Sequence, residues 1–183
     1  YSSARDEFKG NARVYLDANE NSIGSTSKDK YRRYPDPYQV ELKKRIGKIK
    51  GIDPSNIFLG NGSDEPIDLL IRAFCNPGKD KVIITPPTYG MYEVSASIND
   101  VGIIKVPLTH DYALDLPGIM ESLEAGVKLI FLCSPNNPTG NSMDTDLILE
   151  ISEKFQGLVI LDEAYIDFSS NPSLLDKLER HKN

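Results

Sequence analysis

Four short apolar runs follow one another from Lys81 to Asp162, and amphipathic stretches separate them. This alternation constrains the fold more than any other feature of the sequence. The runs lack the polar alternation of a strand with one solvated face, so we expect buried strands joined by helices. The pattern predicts an α/β fold, with three α/β/α layers and a mainly parallel central sheet. The strand runs are KVIIT, GIIKV, KLIFLC and LVILD, and the helical stretches are YGMYEVSASI, LPGIMESLEAG and DTDLILEISEKF.

The part of the chain before these runs carries two further predicted helices and one short strand, NIFLG. The first helix is predicted to begin at Asp36-Pro37 and to end at Gly51. The first thirty residues are polar and turn-rich around the short apolar piece VYL, and are interpreted as an arm or loop region. The apolar positions are Leu42, Ile46 and Ile49 in the first helix and Ile67, Leu70, Ile71 and Phe74 in the second.

Composition argues against several classes of function. A net charge of -6 and a pI near 5.0 disfavour a general nucleic-acid or membrane-surface binder. No run approaches the ~20 apolar residues of a membrane span. The start, YSSARDEFKG, lacks the apolar core of a signal peptide. We therefore expect a cytoplasmic protein in which Cys75 and Cys133 are reduced core thiols.

The last apolar run ends in two adjacent carboxylates, Asp162 and Glu163. An ionised carboxylate at the end of a buried strand needs a cationic or hydrogen-bonding partner. Ligands of open parallel sheets bind beyond the carboxyl ends of the strands. We therefore expect a positively charged group just beyond this strand.

Three other turns carry candidate ligand-binding residues, and each also has a purely structural interpretation. In LGNGSDEP, the backbone N–H groups of Ser63 and Asp64 at a helix start could hold a phosphate, or Ser63 could simply cap the helix. In CSPNNPTGN, the amide of Asn137 could donate to a ligand oxygen, or the segment could be a rigid turn. In PPTYGMY, Tyr89 could stack on a flat ring or pack locally.

The run LVILDEA also resembles the magnesium-binding strand of P-loop NTPases. Those proteins need the pattern G-x-x-x-x-G-K-[ST] after an earlier strand. At Gly78-Lys79, the positions that require glycine and Ser/Thr hold Ala73 and Asp80. The NTPase interpretation therefore fails.

Pyridoxal phosphate accounts for all four features together. It has a phosphate, a flat pyridine ring, a phenolic oxygen and a ring nitrogen, which must stay protonated if the cofactor is to act as an electron sink. A carboxylate that pairs with the protonated nitrogen is stabilised in its ionised form. The sequence therefore predicts a pyridoxal phosphate site, without a metal, in which Asp162 faces the ring nitrogen.

Six motifs occur in order along the chain: LDANENSIGS, YRRYPDP, LGNGSDEPIDLLIRAFC, PPTYGMYEVSA, CSPNNPTGN and VILDEAYIDF. Together they closely resemble the histidinol-phosphate aminotransferases, a family of the fold-type I, aspartate-aminotransferase-like pyridoxal phosphate enzymes. The motifs NNPTG and DEAY are typical of the broader class I and II aminotransferases, whereas LDANEN, YPDP and GSDEPIDLLIRAF narrow the resemblance to the histidinol-phosphate branch. The resemblance extends from Leu16 to Phe168.

The resemblance implies a role for each matching residue around the cofactor. The backbones of Ser63 and Asp64 would hold the phosphate, and Tyr89 would stack on the pyridine ring. The predicted catalytic residues are Asn137 and Tyr165, which would hydrogen-bond the phenolic oxygen, and Asp162, which would pair with the ring nitrogen.

The same resemblance assigns roles near the start of the chain. Tyr34 of YPDP would reach the phosphate of the neighbouring subunit's cofactor, which implies a homodimer. The loop around Asn19, Glu20 and Asn21 would lie near the substrate entrance, with Asn19 and Asn21 as substrate-binding residues. Ser22 stands where the family has proline, and this difference bears on the rigidity of the arm but not on the chemistry.

The resemblance also implies a division of the chain. Residues 1–32 would be an amino-terminal arm or small-domain segment, and residues 33–183 a partial cofactor-binding large domain. The family's Schiff-base lysine, in a Ser-Lys segment, and two arginines for phosphate and substrate come downstream of DEAY. After Asp162 the chain has only Lys177 and Lys182, and neither matches that segment. The chain is therefore interpreted as the amino-terminal part of a longer enzyme and is expected to be inactive alone.

For the intact enzyme, the resemblance implies transamination between L-histidinol phosphate and 2-oxoglutarate, with glutamate as a product, in histidine biosynthesis. An aromatic or other amino-acid aminotransferase of the same fold is a competing interpretation. A third interpretation is a non-catalytic module without the lysine, which binds the cofactor or a protein partner.

Overall fold

The structure is a computed structural model that describes residues 7, 8, 10–28, 31–178, 180, 181 and 183. Lys182 lies outside these residues. The chain divides into two units, Tyr1–Leu59 and Gly60–Asn183, and each is described by itself. The division expected between residues 32 and 33 stays a prediction. Among the described residues, no helix combines the length and the apolar character needed to cross a membrane.

In the first unit, helix α1 spans Val40–Lys50, and a short 3-10 helix spans Pro54–Asn56. The prediction that α1 begins at Asp36-Pro37 was wrong, because Gln39 has a left-handed backbone with a φ of 51° that interrupts a helix before Val40. The Asp36 carboxylate instead accepts hydrogen bonds from the backbone N–H groups of Tyr38 and Val40, both at 2.9 Å. Gly51, with a φ of 70°, ends α1 as predicted.

Apolar side chains that were expected to be buried in the first unit are exposed. Leu42 and Ile49, which were expected to share a face of α1, are 51% and 77% exposed. The prediction that NIFLG is a strand was wrong, since no strand in the described part of the chain pairs with it, and Phe58 is exposed. Apolar composition alone does not make a strand, because the backbone N–H and C=O groups also need a neighbour.

The second unit contains a sheet of four parallel strands, which confirms the predicted parallel sheet. Three of the strands lie within the apolar runs expected to form them, and the third strand along the chain begins at Val127, one residue before the run KLIFLC. The strands are β1 (Lys81–Ile84), β2 (Gly102–Lys105), β3 (Val127–Cys133) and β4 (Leu158–Asp162). They pair in the order β2-β1-β3-β4. The helices are α2 (Asp64–Phe74), α3 (Met91–Ile98), α4 (Leu116–Glu121) and α5 (Thr145–Lys154), with 3-10 helices at Ile166–Phe168 and Leu174–Lys177.

Side chains of β3 alternate between two cores, one on each face of the sheet. Ile130 and Leu132 pack in the core that contains residues of α4 and α5, whereas Leu129 and Phe131 pack in the core that contains residues of α2 and α3. All four side chains are fully buried. Helices therefore cover both faces of the sheet, which confirms the predicted α/β/α layers and explains why the central strand is apolar at successive positions.

Candidate active site

A cavity of about 100 Å³ lies beyond the carboxyl ends of β1, β3 and β4. Neighbouring strands β1 and β3 are separated in the chain by β2, so the order of the strands reverses between them. Such a switch point is where open parallel sheets bind ligands, because the connecting segments diverge there and leave a crevice. The cavity is lined by Ser63, Tyr89, Cys133, Asn137, Asp162, Ala164 and Tyr165.

The Asp162 carboxylate at the tip of β4 is held by two neutral donors. The phenol of Tyr92 donates to Oδ2 at 2.7 Å, and the backbone N–H of Ala164 donates to Oδ1 at 3.0 Å. In the described part of the chain, no lysine, arginine or histidine forms a salt bridge with this carboxylate. Two neutral hydrogen bonds satisfy the oxygens but leave the negative charge uncompensated, so it is available to a cationic ligand.

The neighbouring carboxylate, Glu163, faces different partners. Its Oε2 accepts a short hydrogen bond from the Ser173 hydroxyl, and its Oε1 accepts one from the backbone N–H of Leu174 at 2.9 Å. These contacts hold the start of the 3-10 helix Leu174–Lys177. Of the two adjacent acids, Asp162 therefore lines the cavity and Glu163 fixes the chain that follows.

The first turn of α2 brings Ser63 to the cavity. Ser63 occupies the N-cap position, but its side chain makes no capping hydrogen bond. Glu65 reaches back instead, and its Oε2 accepts from the backbone N–H and the Nδ2 of Asn61 at 2.6 and 2.9 Å. The interpretation of Ser63 as a simple side-chain cap is therefore wrong, because its side chain accepts no hydrogen bond from the free N–H groups at the start of α2.

Tyr89 follows β1 and reaches the same cavity. Its hydroxyl donates to Asp64 Oδ1 at 2.9 Å, and its ring meets the ring of Tyr92 edge-on, with 5.7 Å between centroids. The hydrogen bond to Asp64 is the main cause that raises the pKa of Tyr89, followed by burial. The ring is thus held by its hydroxyl and by the Tyr92 ring while Tyr89 lines the cavity.

The two asparagines of CSPNNPTGN have different surroundings. Asn137 lines the cavity. Asn136 is buried, and its Nδ2 donates to the Pro87 carbonyl at 2.9 Å, while its Oδ1 accepts from the Thr88 hydroxyl at 3.0 Å. Asn136 therefore ties the loop after β3 to the loop after β1, and so sets the spacing of the cavity walls that carry Asn137 and Tyr89.

Tyr165, which follows β4, lines the cavity together with Asn137. Both residues also line a wider groove of about 670 Å³, whose far side is formed by residues from Phe168 to Asn171. The cavity thus opens next to a polar groove with room for a second small molecule.

Sequence reasoning missed two residues of this site, Tyr92 and Asn136. Tyr92 comes three residues after Tyr89 in PPTYGMY, and this spacing places two side chains on one side of a helix start. That spacing was the available signal for Tyr92. For Asn136, nothing in NNPTG distinguishes the asparagine that braces the loop from the one that faces the cavity.

Asn19, Asn21 and Tyr34 belong to the first unit, and each is exposed. The Oδ1 of Asn21 accepts a hydrogen bond from the backbone N–H of Ile23 at 3.0 Å. Between the asparagines, the Glu20 side chain is 2% exposed, and its carboxylate accepts from Arg33 Nη1 at 2.5 Å and from the backbone N–H of Tyr34 at 2.7 Å. Glu20 therefore links the asparagine loop to the YPDP segment, while the roles of these residues stay predictions.

The second unit has the architecture expected for a fold-type I enzyme, and comparison with known proteins agrees. The family described as aminotransferase class I and II matches residues 7–183. The crystal structure of the histidinol-phosphate aminotransferase from Clostridium acetobutylicum is similar with a TM-score of 0.69 and 28% identity, over 81% of this chain and 44% of that chain. The predicted fold type is thereby confirmed.

Curated relatives extend the likeness over the whole sequence. The chain is 54% identical to the histidinol-phosphate aminotransferase of Cytophaga hutchinsonii and 55% identical to that of Parabacteroides distasonis, each over 183 residues. These alignments cover 100% of this chain but 53% and 52% of the relatives, so the chain spans about half the length of the curated relatives it matches. Since the family match runs through both units, the chain belongs to the class I and II aminotransferases.

Proposed function

We propose that this chain is the cofactor-binding part of a pyridoxal-phosphate-dependent aminotransferase that acts on L-histidinol phosphate and 2-oxoglutarate. The observation that carries the proposal is the single cavity shared by Ser63, Tyr89, Asn137, Asp162 and Tyr165. Membership of the class I and II aminotransferases, which depend on pyridoxal phosphate, supports the cofactor. The names of the relatives support the substrate.

Each chemical group of the cofactor would have a partner among the residues in and beside the cavity. The backbone N–H groups of Ser63 and Asp64 begin a helix and would bind the phosphate, since a helix N-terminus favours anions. Asn137 and Tyr165 would donate hydrogen bonds to the phenolic oxygen. The aromatic ring of Tyr89 would stack on the pyridine ring.

Asp162 would contribute the negative charge of the site. Its carboxylate is oriented by neutral groups, so its charge would pair with the protonated ring nitrogen. When bound, the cofactor supplies an electron sink for bonds at the α-carbon of the substrate. Asp162 would hold the proton on the ring nitrogen and so keep the sink in its active charge state.

Replacement of the charge at Asp162 tests this role. In the full-length protein, Asp162→Asn should lower kcat by about 100-fold, comparable to the loss of other charge-stabilising contacts in active sites. Asp111→Asn is a matched control, because the Asp111 side chain is 94% exposed and lies outside the cavity lining. Turnover of Asp162→Asn equal to wild type would contradict the proposal.

A comparison of amino donors tests the substrate. We expect the full-length protein to transfer the amino group of L-histidinol phosphate to 2-oxoglutarate with a higher kcat/KM than that of aromatic amino acids. A preference for an aromatic amino acid would favour the competing aminotransferase. Cofactor binding without transfer from any donor would favour the non-catalytic module.

We also propose that the enzyme is a homodimer in which Tyr34 serves the neighbouring subunit's cofactor. Mixing of two inactive variants, Tyr34→Ala and Asp162→Asn, tests this arrangement. If Tyr34 acts across the interface, each mixed dimer regains one intact site, and random mixing restores about one quarter of wild-type activity by symmetry. If Tyr34 acts within its own subunit, no activity returns.

Two remaining assignments belong to the same proposal. Asn19 and Asn21 would contact the substrate, so their replacement by alanine should raise KM with kcat little changed. Equal KM values for variants and wild type would contradict this assignment. A cytoplasmic location stays a prediction.

A further inference from the structure

We infer that Tyr92 is a positioning residue that holds the Asp162 carboxylate in place for a cationic ligand, an inference that rests on the proposed function. Tyr92 lies outside the cavity lining, so it would act through Asp162 rather than by contact with the cofactor or substrate.

Packing fixes the Tyr92 ring independently of Asp162. The side chain is fully buried in the core between the sheet and helices α2 and α3. Its ring stacks on Phe131 of β3, with 4.9 Å between centroids and 15° between planes. The ring of Tyr89 abuts it at a nearly perpendicular 83°. Because these rings set the direction of the phenol, the hydroxyl defines a fixed point to which Asp162 Oδ2 binds at 2.7 Å.

The backbone holds the other oxygen of the same carboxylate. Asp162 Oδ1 accepts from the N–H of Ala164, and the carbonyl of Asp162 accepts from the N–H of Ser134 at 2.9 Å. With one donor on each carboxylate oxygen, rotation of the carboxylate would break a hydrogen bond. Loss of the Tyr92 hydroxyl would free one oxygen and leave the other bond as a pivot.

A phenol suits this position because it remains uncharged. Burial is the main cause that raises the pKa of Tyr92 far above its usual range, and the bond to Asp162 adds to the effect. Tyr92 therefore stays protonated and donates to the carboxylate over the physiological range. A lysine or arginine would also orient Asp162, but it would compensate the charge that the ligand needs.

A double-mutant cycle distinguishes positioning from packing. Tyr92→Phe keeps the ring in the core and removes only the hydroxyl. In the full-length protein, the dissociation constant of pyridoxal phosphate is measured for wild type, Tyr92→Phe, Asp162→Asn and the double variant, together with kcat. We expect Tyr92→Phe to weaken binding about 10-fold, as for loss of a hydrogen bond to a charged group, and to change it less than about 2-fold in the Asp162→Asn background.

The controls separate failure of this inference from failure of the proposed function. Tyr112→Phe, at a half-exposed tyrosine of the loop before α4, should leave both measurements unchanged. The inference alone would be overturned if Asp162→Asn strongly weakened pyridoxal phosphate binding while Tyr92→Phe changed the dissociation constant equally in the wild-type and Asp162→Asn backgrounds. If Asp162→Asn changed neither the dissociation constant of pyridoxal phosphate nor kcat, both the proposed function and the inference would be overturned. Thermal unfolding of each variant verifies that it is folded.

Discussion

The phenol of Tyr89 donates a 2.9 Å hydrogen bond to the carboxylate of Asp64, and so joins the loop after β1 to the first turn of α2. The bond links the ring proposed to stack on the cofactor with the turn proposed to bind its phosphate. Because a carboxylate acceptor favours the protonated phenol, the pKa of Tyr89 is raised and the bond persists at physiological pH. The proposed stacking contact and the proposed phosphate contact would thereby be held in a fixed arrangement before the cofactor binds.

Tyr89→Phe should weaken pyridoxal phosphate binding by about 3-fold, because the ring remains but its tether to Asp64 is lost. Tyr89→Leu should weaken binding further, since the stacking surface is lost as well. The dissociation constants are measured by titration of the full-length protein, with Tyr112→Phe as the matched control. A weaker affinity for the Phe variant than for the Leu variant would argue against stacking.

Glu20→Gln should loosen the YPDP segment. The Glu20 side chain is 2% exposed and binds both Arg33 and the backbone N–H of Tyr34. Removal of its charge weakens both bonds, so amide hydrogen exchange at Tyr34 should accelerate by about 10-fold. Glu41→Gln is the control, since Glu41 is 84% exposed and pairs only with Lys44 in the described part of the chain. Unchanged exchange at Tyr34 would show that Glu20 does not hold the segment.

Thr85→Val should stabilise the protein. The Thr85 hydroxyl is buried and has no hydrogen-bond partner in the described part of the chain. Valine has the same shape without the unpaired polar group, so we expect a gain of about 1 kcal/mol and a higher thermal unfolding midpoint. Thr139→Val should have the opposite effect, because the Thr139 hydroxyl bonds to Asn136 and Asn141 at 2.7 and 2.5 Å. Destabilisation of equal size in both variants would contradict this account.

Asp80 should make stability depend on pH. Its buried carboxylate accepts from the backbone N–H and the Nδ2 of Asn76, both at 2.7 Å, and the backbone bond is the main cause that lowers the pKa of Asp80 from 3.8. A carboxyl whose pKa is lower in the folded state stabilises that state above its unfolded pKa. This contribution is lost as the pH falls through the folded value.

The difference in urea midpoint between wild type and Asp80→Asn should therefore be largest above about pH 5 and should narrow below about pH 4. Asp111→Asn, at an exposed carboxylate, is the control substitution. A gap between wild type and Asp80→Asn that is constant with pH would rule out the titration of Asp80 as its cause.

The centre of the sheet could be predicted from the sequence because β1 and β3 are buried on both faces of the sheet. In β3, Leu129 and Ile130 point to opposite cores, so the apolar run is continuous and its length alone indicates a strand. NIFLG has similar composition, but no strand among the described residues pairs with it, and a single window of sequence carries no information about pairing partners. The start of α1 was misplaced for a local reason, since the backbone of Gln39 is left-handed without any glycine to signal it.

Some of the cavity residues could be predicted because they are polar and lie at the carboxyl end of an apolar strand. Asp162 and Asn137 follow apolar strands, and polar residues there face the ligand edge of a parallel sheet. The supporting residues could not be found in this way. Tyr92 looks like an ordinary core aromatic until the docking of α3 brings its hydroxyl to the tip of β4, a contact between residues 70 positions apart.

Asp162 is the last residue of β4 and Glu163 follows it directly, and the two side chains meet different partners, as successive side chains of an extended segment point to opposite sides. Deletion of a single residue between Leu158 and Leu161 would shift the frame by one, bring Glu163 toward the site of Asp162, and deprive Ser173 and Leu174 of their acceptor. We therefore expect this segment to tolerate substitution but not a change of length, so that length variation among homologues falls in the loops on either side of β4.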